Sequence, residues 1–239
     1  MSEIPVKSEP VREMFGGIAG RYDLANRTLS MGLDILWRRR LVREVTRLRP
    51  TSVVDLATGS GDVAFALRKK LPPQARLQAL DFCEPMLDQA RRKQGRLDPS
   101  ETLGPLSFAQ GDCLNLPLDD QSADAATIAF GLRNLEDRAR GLAEMRRILR
   151  PRGTLFVLEF TQPHRWFRPI YLLYLKAILP TLAGWITRQP SAYRYLAGTI
   201  ESFPTVTALT RELEAAGFPQ VRAIPMSLSI VALHLARKP

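Results

Sequence analysis

Apolar positions along this chain fall into two alternating patterns. Short apolar runs, the mark of buried strands, begin at Val53 and recur at Ala75 to Leu80, Leu106 to Gln110, Asp124 to Phe130 and Thr154 to Phe160. Between them the period lengthens to that of a helix: Leu67 and Leu71 share one face, a helix runs to about Gly95, and another spans about Asp137 to Leu149. Pro85 suits a first helical turn. A further helix is expected from Thr205 to Ala216, ended by Gly217, before two closing strands at Val221 to Pro225 and Leu228 to Ala236. This alternation predicts an α/β fold, a doubly wound, mainly parallel seven-stranded sheet.

Two segments break the pattern. Arg12 to Thr46 precedes the first strand, with Phe15, Ile18 and Ala19 at helical spacing, and could pack as helices that cover a cleft. Gln162 to Pro204 follows the fifth strand and contains Trp166 to Ile186, the most apolar and aromatic part of the chain. Arg168, Lys176 and two prolines interrupt it, so no uncharged run is long enough to span a bilayer. It reads as a helical insertion that caps a greasy pocket, touches a membrane surface, or simply packs on the sheet. Residues 1–11 are polar and contain two prolines, which predicts a flexible tail without the apolar core of a signal peptide. Residues 12–239 then form one domain, with 162–204 as the insertion.

The first strand ends in Thr58-Gly59-Ser60-Gly61, and a helix starts at Asp62. Strand, glycine turn and helix form a nucleotide-binding opening. Glycine tolerates positive φ and lets a ligand reach the backbone, and the helix N–H groups supply donors. The spacing Gly59-x-Gly61-x-x-Ala64 also fits a dinucleotide fingerprint. A pyrophosphate there would face Asp62 at close range, and like charges repel. Asp55 on the strand and Asp62 after the glycines would instead suit a ligand carrying an ammonium and a sulfonium, such as S-adenosylmethionine. Asp81 ends the second strand, placed to take both ribose hydroxyls. Phe82 follows it at the same edge. Asp112, after the third strand, is placed for an adenine amino group or is an ordinary turn aspartate. Gly131-Leu132-Arg133-Asn134 follows the fourth strand, so Arg133 and Asn134 are expected to point into the crevice.

The chain has 239 residues, 45% of them hydrophobic, and a formal charge of +10. That is enough for one full core, and basic enough to suggest an anionic surface. The basic runs Arg38-Arg39-Arg40, Arg91-Arg92-Lys93 and Arg146-Arg147 are short and read as solvated helix faces. No lysine tract or basic-aromatic repeat supports specific nucleic-acid binding. Cys83 and Cys113 fall near the cofactor loops and read as free thiols in a reducing compartment. With two histidines in the chain, no histidine-cysteine metal cluster is expected.

Several longer motifs carry a resemblance. They are Arg21-Tyr22-Asp23-x-x-Asn26 with Ser30 and Trp37; Phe130-Gly131-Leu132-Arg133-Asn134; Arg147-Ile148-Leu149-Arg150-Pro151 with Val157-Leu158-Glu159-Phe160; Tyr193-Arg194-Tyr195-Leu196; and Ile230-Val231-Ala232-Leu233-His234. From about Met14 to His234 the chain resembles the ubiquinone/menaquinone biosynthesis C-methyltransferases, class I enzymes with a Rossmann-like sheet that use S-adenosylmethionine to methylate a polyprenyl quinol ring. The resemblance implies cofactor contacts at Ser60, Asp81, Asp112 and Cys113. It implies a proton-transfer group at Tyr22, Arg133 and Asn134 that holds a water or the quinol hydroxyl. Asp34 stands where the family has histidine and is a second candidate base. Ala25, Ala129, Arg152 and Ser227 to Ser229 also depart from the family pattern. The implied reaction converts demethylmenaquinol to menaquinol, with a prenyl channel between Phe167 and Trp185. The implied setting is cytoplasmic, at the inner face of an anionic membrane, and a homodimer is left open. Three rivals stand beside this: a methyltransferase for another phenol or lipid, a cofactor-binding subunit without turnover, and an NAD-dependent dehydrogenase.

Overall fold

The computed structural model describes residues 27, 30, 32–96, 104–178 and 197–239. The tail, the Arg21-Tyr22-Asp23-x-x-Asn26 part of the first motif, and the insertion between 179 and 196 lie outside the described residues. In chain order the elements are α1 (Leu33–Arg47), β1 (Ser52–Leu56), α2 (Asp62–Arg68), β2 (Arg76–Asp81), α3 (Glu84–Gln94), β3 (Leu106–Gln110), β4 (Ala123–Ala129), α4 (Arg138–Ile148), β5 (Leu149–Phe160), α5 (Arg168–Leu173), α6 (Val206–Ala215), β6 (Gln220–Met226) and β7 (Val231–Arg237). The seven strands form one sheet in the order β3-β2-β1-β4-β5-β7-β6. β1 to β5 run parallel, and β7 inserts antiparallel between β5 and β6.

Burial on both faces explains the unbroken apolar runs. Along β1, Val54 and Leu56 enter the core under α4 and α6, while Val53 enters the core under α1 and α2. Leu155 and Val157 of β5 join the first core, and Phe156 and Leu158 the second. Each such side chain contributes about 1.5–3 kcal/mol by leaving water. The strand order reverses at β1, with β2 on one side and β4 on the other. A crevice opens at the carboxyl ends of those strands, where doubly wound sheets bind ligands.

Two boundaries differ from the sequence expectation. β5 begins at Leu149, not Thr154, because Leu149 pairs with Ala123 and Thr154 with Ala125, leaving a bulge between. Pro151-Arg152-Gly153 lies in that bulge. β7 begins at Val231, not Leu228. Ser227, Leu228 and Ser229 all have positive φ and form the hairpin turn instead. Among the described residues no helix is long and apolar enough to cross a membrane.

Arg152 has φ of 65°, the left-handed region where a side chain is strained. Glycine would adopt that φ without strain. Arg152→Gly should raise stability by up to about 1 kcal/mol, since relief of strain exceeds the entropy glycine adds to the unfolded chain. Thermal unfolding checks it; a lower midpoint would contradict the strain.

Candidate functional site

The end of β1 turns sharply. Ala57 has φ of 49°, Gly59 57° and Gly61 86°. The Gly61 N–H closes the turn on the Thr58 carbonyl at 3.0 Å, and α2 begins with Asp62. A Cβ on Gly61 would stand 2.8 Å from the Phe65 ring and 3.1 Å from Phe108, so both the conformation and the space require glycine. Phe130, at the end of β4, also has positive φ, 60°, and a Cβ on the next residue, Gly131, would meet Ala57 at 2.5 Å. Strained backbone at adjacent strand ends marks a functional crevice.

That crevice is a cleft of about 920 Å³, counted to its open mouth. The predicted residues Asp55, Gly59, Ser60, Asp81, Phe82, Asp112, Cys113 and Asn134 line it. Gly61 shapes the turn behind it without lining it.

Asp55 is 1% exposed and accepts the hydroxyls of Thr58 at 2.6 Å and Thr127 at 2.5 Å. Burial pushes its carboxyl up to about 6, although the two hydroxyls pull the other way. Asp81 accepts the Gly59 N–H at 2.7 Å and the Cys83 N–H at 2.9 Å. Burial pushes it too up to about 6, against those N–H groups. Thus one carboxylate ties the glycine turn to the end of β2 and still offers lone pairs to the cleft. Asp112 accepts the Leu114 N–H at 2.9 Å, so it makes the turn and lines the cleft at once. Both cysteines are buried and outside any disulfide, and burial holds the Cys113 thiol neutral by raising its pKa.

Asp62 requires a correction. It does not present a bare carboxylate: Arg38 pairs with it at 2.8 Å and Lys93 at 2.9 Å. Burial alone would raise its pKa, but these two cations outweigh burial and lower it. Its charge is therefore matched within the protein, which leaves Asp55, Asp81 and Asp112 as the cleft carboxylates outside any ion pair among the described residues. The basic runs are corrected with it. Successive helix positions are about 100° apart, so some residues of each run turn inward: Arg38, Lys93, and both Arg146 and Arg147, which bond the Gly217 carbonyl and Glu144. Arg38 lines the cleft and Lys93 bonds the Ser60 hydroxyl at 3.0 Å, while Arg39 stays exposed.

Asp34 is 4% exposed and does not line the cleft. It accepts the Ser30 hydroxyl at 2.8 Å and holds Arg38 at 3.0 Å. Arg133 departs from its expected direction. Its guanidinium binds Glu159 at 2.6 Å and the Phe130 carbonyl at 2.7 Å, and lies 5.2 Å from the centre of the Phe160 ring. The two paired side chains are 3% and 1% exposed. A carboxylate buried that deeply needs a cation, and Arg133 is the one beside it. Asn134, next in the chain, does face the cleft, and its buried Oδ1 has no hydrogen-bond partner among the described residues.

Sequence reasoning missed Arg38, Lys93, Met86 and Phe130 as cleft or cleft-bordering residues. Only the strict spacing of Arg38 to Asp34, four residues along one helix, could have hinted at the first.

The glycine turn and the two buried carboxylates fit a positively charged nucleoside ligand. This sheet with this cleft defines a class I methyltransferase whose methyl donor is S-adenosylmethionine. Solved structures agree on the fold. A SAM-dependent methyltransferase from Thermotoga maritima, titled a possible histamine N-methyltransferase, superposes with a TM-score of 0.65 at 17% identity, covering 95% of this chain and 99% of that one. A second, from Methanococcus maripaludis, gives 0.64 at 18% identity over 100% of this chain and 98% of that one. Residues 3–238 match the ubiE/COQ5 methyltransferase family, and the chain belongs to it. It is 42% identical to the demethylmenaquinone methyltransferase of Thermus thermophilus over 95% of this chain and 100% of that protein. It is 37% identical to the ubiquinone/menaquinone biosynthesis C-methyltransferase of Citrifermentans bemidjiense over 100% of both.

The raised carboxyls give the cofactor site a pH dependence. Asp55 and Asp81 gain protons as pH falls through about 6, and a protonated pair no longer attracts a cation. Their folded pKa lies above the unfolded value of 3.8, so below 6 these two groups favour the folded state and unfolding does not explain the loss. S-adenosylmethionine affinity, followed by calorimetry from pH 8 to pH 5, should fall through about 6. A flat profile would contradict the role of the carboxylates.

Proposed function

We propose that this enzyme transfers a methyl group from S-adenosylmethionine to a ring carbon of a polyprenyl quinol, converting demethylmenaquinol to menaquinol. The observation that carries this is the chain-long similarity to a relative named for demethylmenaquinone methylation. Bound S-adenosylmethionine supplies an electrophilic methyl group. Asp55 and Asp81 hold its charged and ribose ends, while Gly59 and Gly61 let it lie against the backbone. Phe82 and Asp112 flank its base, and Ser60 and Cys113 complete the contact surface.

The acceptor must be reduced, because a ring hydroxyl supplies the electrons once its proton leaves. Asn134 is positioned to hold that hydroxyl or a water beside it, since its Oδ1 is buried without a hydrogen-bond partner among the described residues. Arg133 fixes the backbone on which Asn134 sits, anchored by Glu159 through both its side chain and its N–H. Tyr22 completes the proton-transfer group in this reading. Asp34, off the cleft and paired with Arg38, acts by holding Arg38 against Asp62 rather than as the base. Alignment of the ring carbon with the methyl group supplies most of the rate.

The prenyl tail would run along the inner side of the insertion. Tyr171 and Leu175 are buried there, and the Arg133 charge reaches the Tyr171 hydroxyl, whose pKa burial raises. The tail's membrane origin favours a protein that works at the inner face of the cytoplasmic membrane.

A second reading, methylation of another phenol, is favoured by Asp34 and by the Ser227 to Ser229 hairpin, where Ser227 takes the Trp37 indole N–H at 2.9 Å. Demethylmenaquinol, the benzoquinol precursor and a panel of phenols, assayed side by side, decide between them. Turnover of phenols alone would overturn the quinol reading.

Arg133→Ala is a poor probe, because leaving Glu159 buried and unpaired would cost about 3–5 kcal/mol. Asn134→Ala should instead lower kcat by about 100-fold or more while S-adenosylmethionine affinity stays unchanged. Equal kcat would remove Asn134 from proton handling.

A further inference from the structure

The start of the insertion is apolar on both of its faces, and the molecule supplies a partner for one. Tyr171 and Leu175 point inward at 7% and 2% exposure. On the other side Ile170 and Leu173, three residues apart on α5, are 60% and 64% exposed. Trp166, one turn earlier, is 69% exposed and packs edge-on against Phe167 with ring centres 5.6 Å apart. An exposed apolar face on a helix calls for an apolar covering. Among the described residues nothing covers this outer face.

Charge says what could. Between Glu159 and Glu201 the sequence carries no aspartate or glutamate, and it carries five arginine and lysine residues, half the formal net charge of +10. Arg165 and Arg168 are exposed within the same turns as Trp166 and Ile170. A second copy of the chain would set like charges against each other. An anionic lipid surface would accept both the apolar side chains and the cations, and tryptophan favours the headgroup level.

We propose that Trp166, Ile170 and Leu173, with Arg165 and Arg168 beside them, form the surface by which the enzyme seats on an anionic bilayer. This rests on the quinol reading above, since it puts the mouth of the tail-binding side against the membrane that holds the substrate. The inner face would serve the substrate and the outer face the membrane. No spanning helix is needed, because shallow burial of a few apolar side chains plus charge gives reversible attachment.

The test is co-sedimentation of the full chain with phosphatidylcholine vesicles, with and without phosphatidylglycerol. The parent should bind the anionic vesicles and be released by high salt. Ile170→Gln/Leu173→Gln should bind them at least about tenfold more weakly, given the apolar area removed. Its affinity for S-adenosylmethionine and its turnover of a soluble, tail-less quinol should match the parent, which shows that it folds. Equal vesicle binding by the double variant would overturn the proposal. So would unchanged vesicle binding with a loss of dimers in sedimentation, which would make the face a self-association surface. If neither protein methylates the tail-less quinol, the quinol reading fails, and the vesicle result still decides the docking surface by itself.

Discussion

One carboxylate holds the functional end of this molecule together. Asp81 takes the Gly59 N–H and the Cys83 N–H, so it bridges the turn after β1 and the start of α3. Without an acceptor at that point, two backbone donors would be buried and unpaired, at a cost of about 1–3 kcal/mol each. The glycine turn keeps its shape because Asp81 sits under it, and the cofactor meets a surface already formed. Asp55 does the same for the other wall, gathering Thr58 from the turn and Thr127 from β4. Both groups are buried enough to be reluctant anions, and a cationic ligand is what relieves that reluctance.

Around this pair the remaining charges are matched inside the protein. Asp34, Arg38, Asp62 and Lys93 form a chain of ion pairs linking α1, α2 and α3. Arg133 and Glu159 form a second, drier pair beneath Phe160. These pairs orient elements; they do not advertise charge to a ligand. The result is a cleft lined by carboxylates outside these pairs, Asp55, Asp81 and Asp112, and by the neutral amide of Asn134.

Much of the fold was legible in the order of residues. β3 falls at Leu106–Gln110, as its apolar run predicts, and the Asp137 and Thr205 caps sit one residue before α4 and α6. Burial of a strand or a helix stripe leaves a local pattern, so such elements can be read one at a time. The bulge at the start of β5 and the hairpin at Ser227 to Ser229 could not, because their left-handed residues are not glycines. For the site, the glycine turn and the acidic strand ends were legible because each lies at a fixed distance from its strand. The partner of Asp62 was not. Arg38 and Lys93 come from helices 24 and 31 residues away, and a run of arginines looks the same whether one turns inward or none does. The direction of Arg133 was set by Glu159, 26 residues on, which only the sheet brings near.

The central claim is that Asp81 organises a site for a cationic cofactor, and titration calorimetry of S-adenosylmethionine into the parent and Asp81→Asn tests it most directly. The account predicts one saturable site in the parent and binding at least about tenfold weaker in the variant, the scale of one charged hydrogen-bonding group lost. Equal affinity in the two proteins would contradict it.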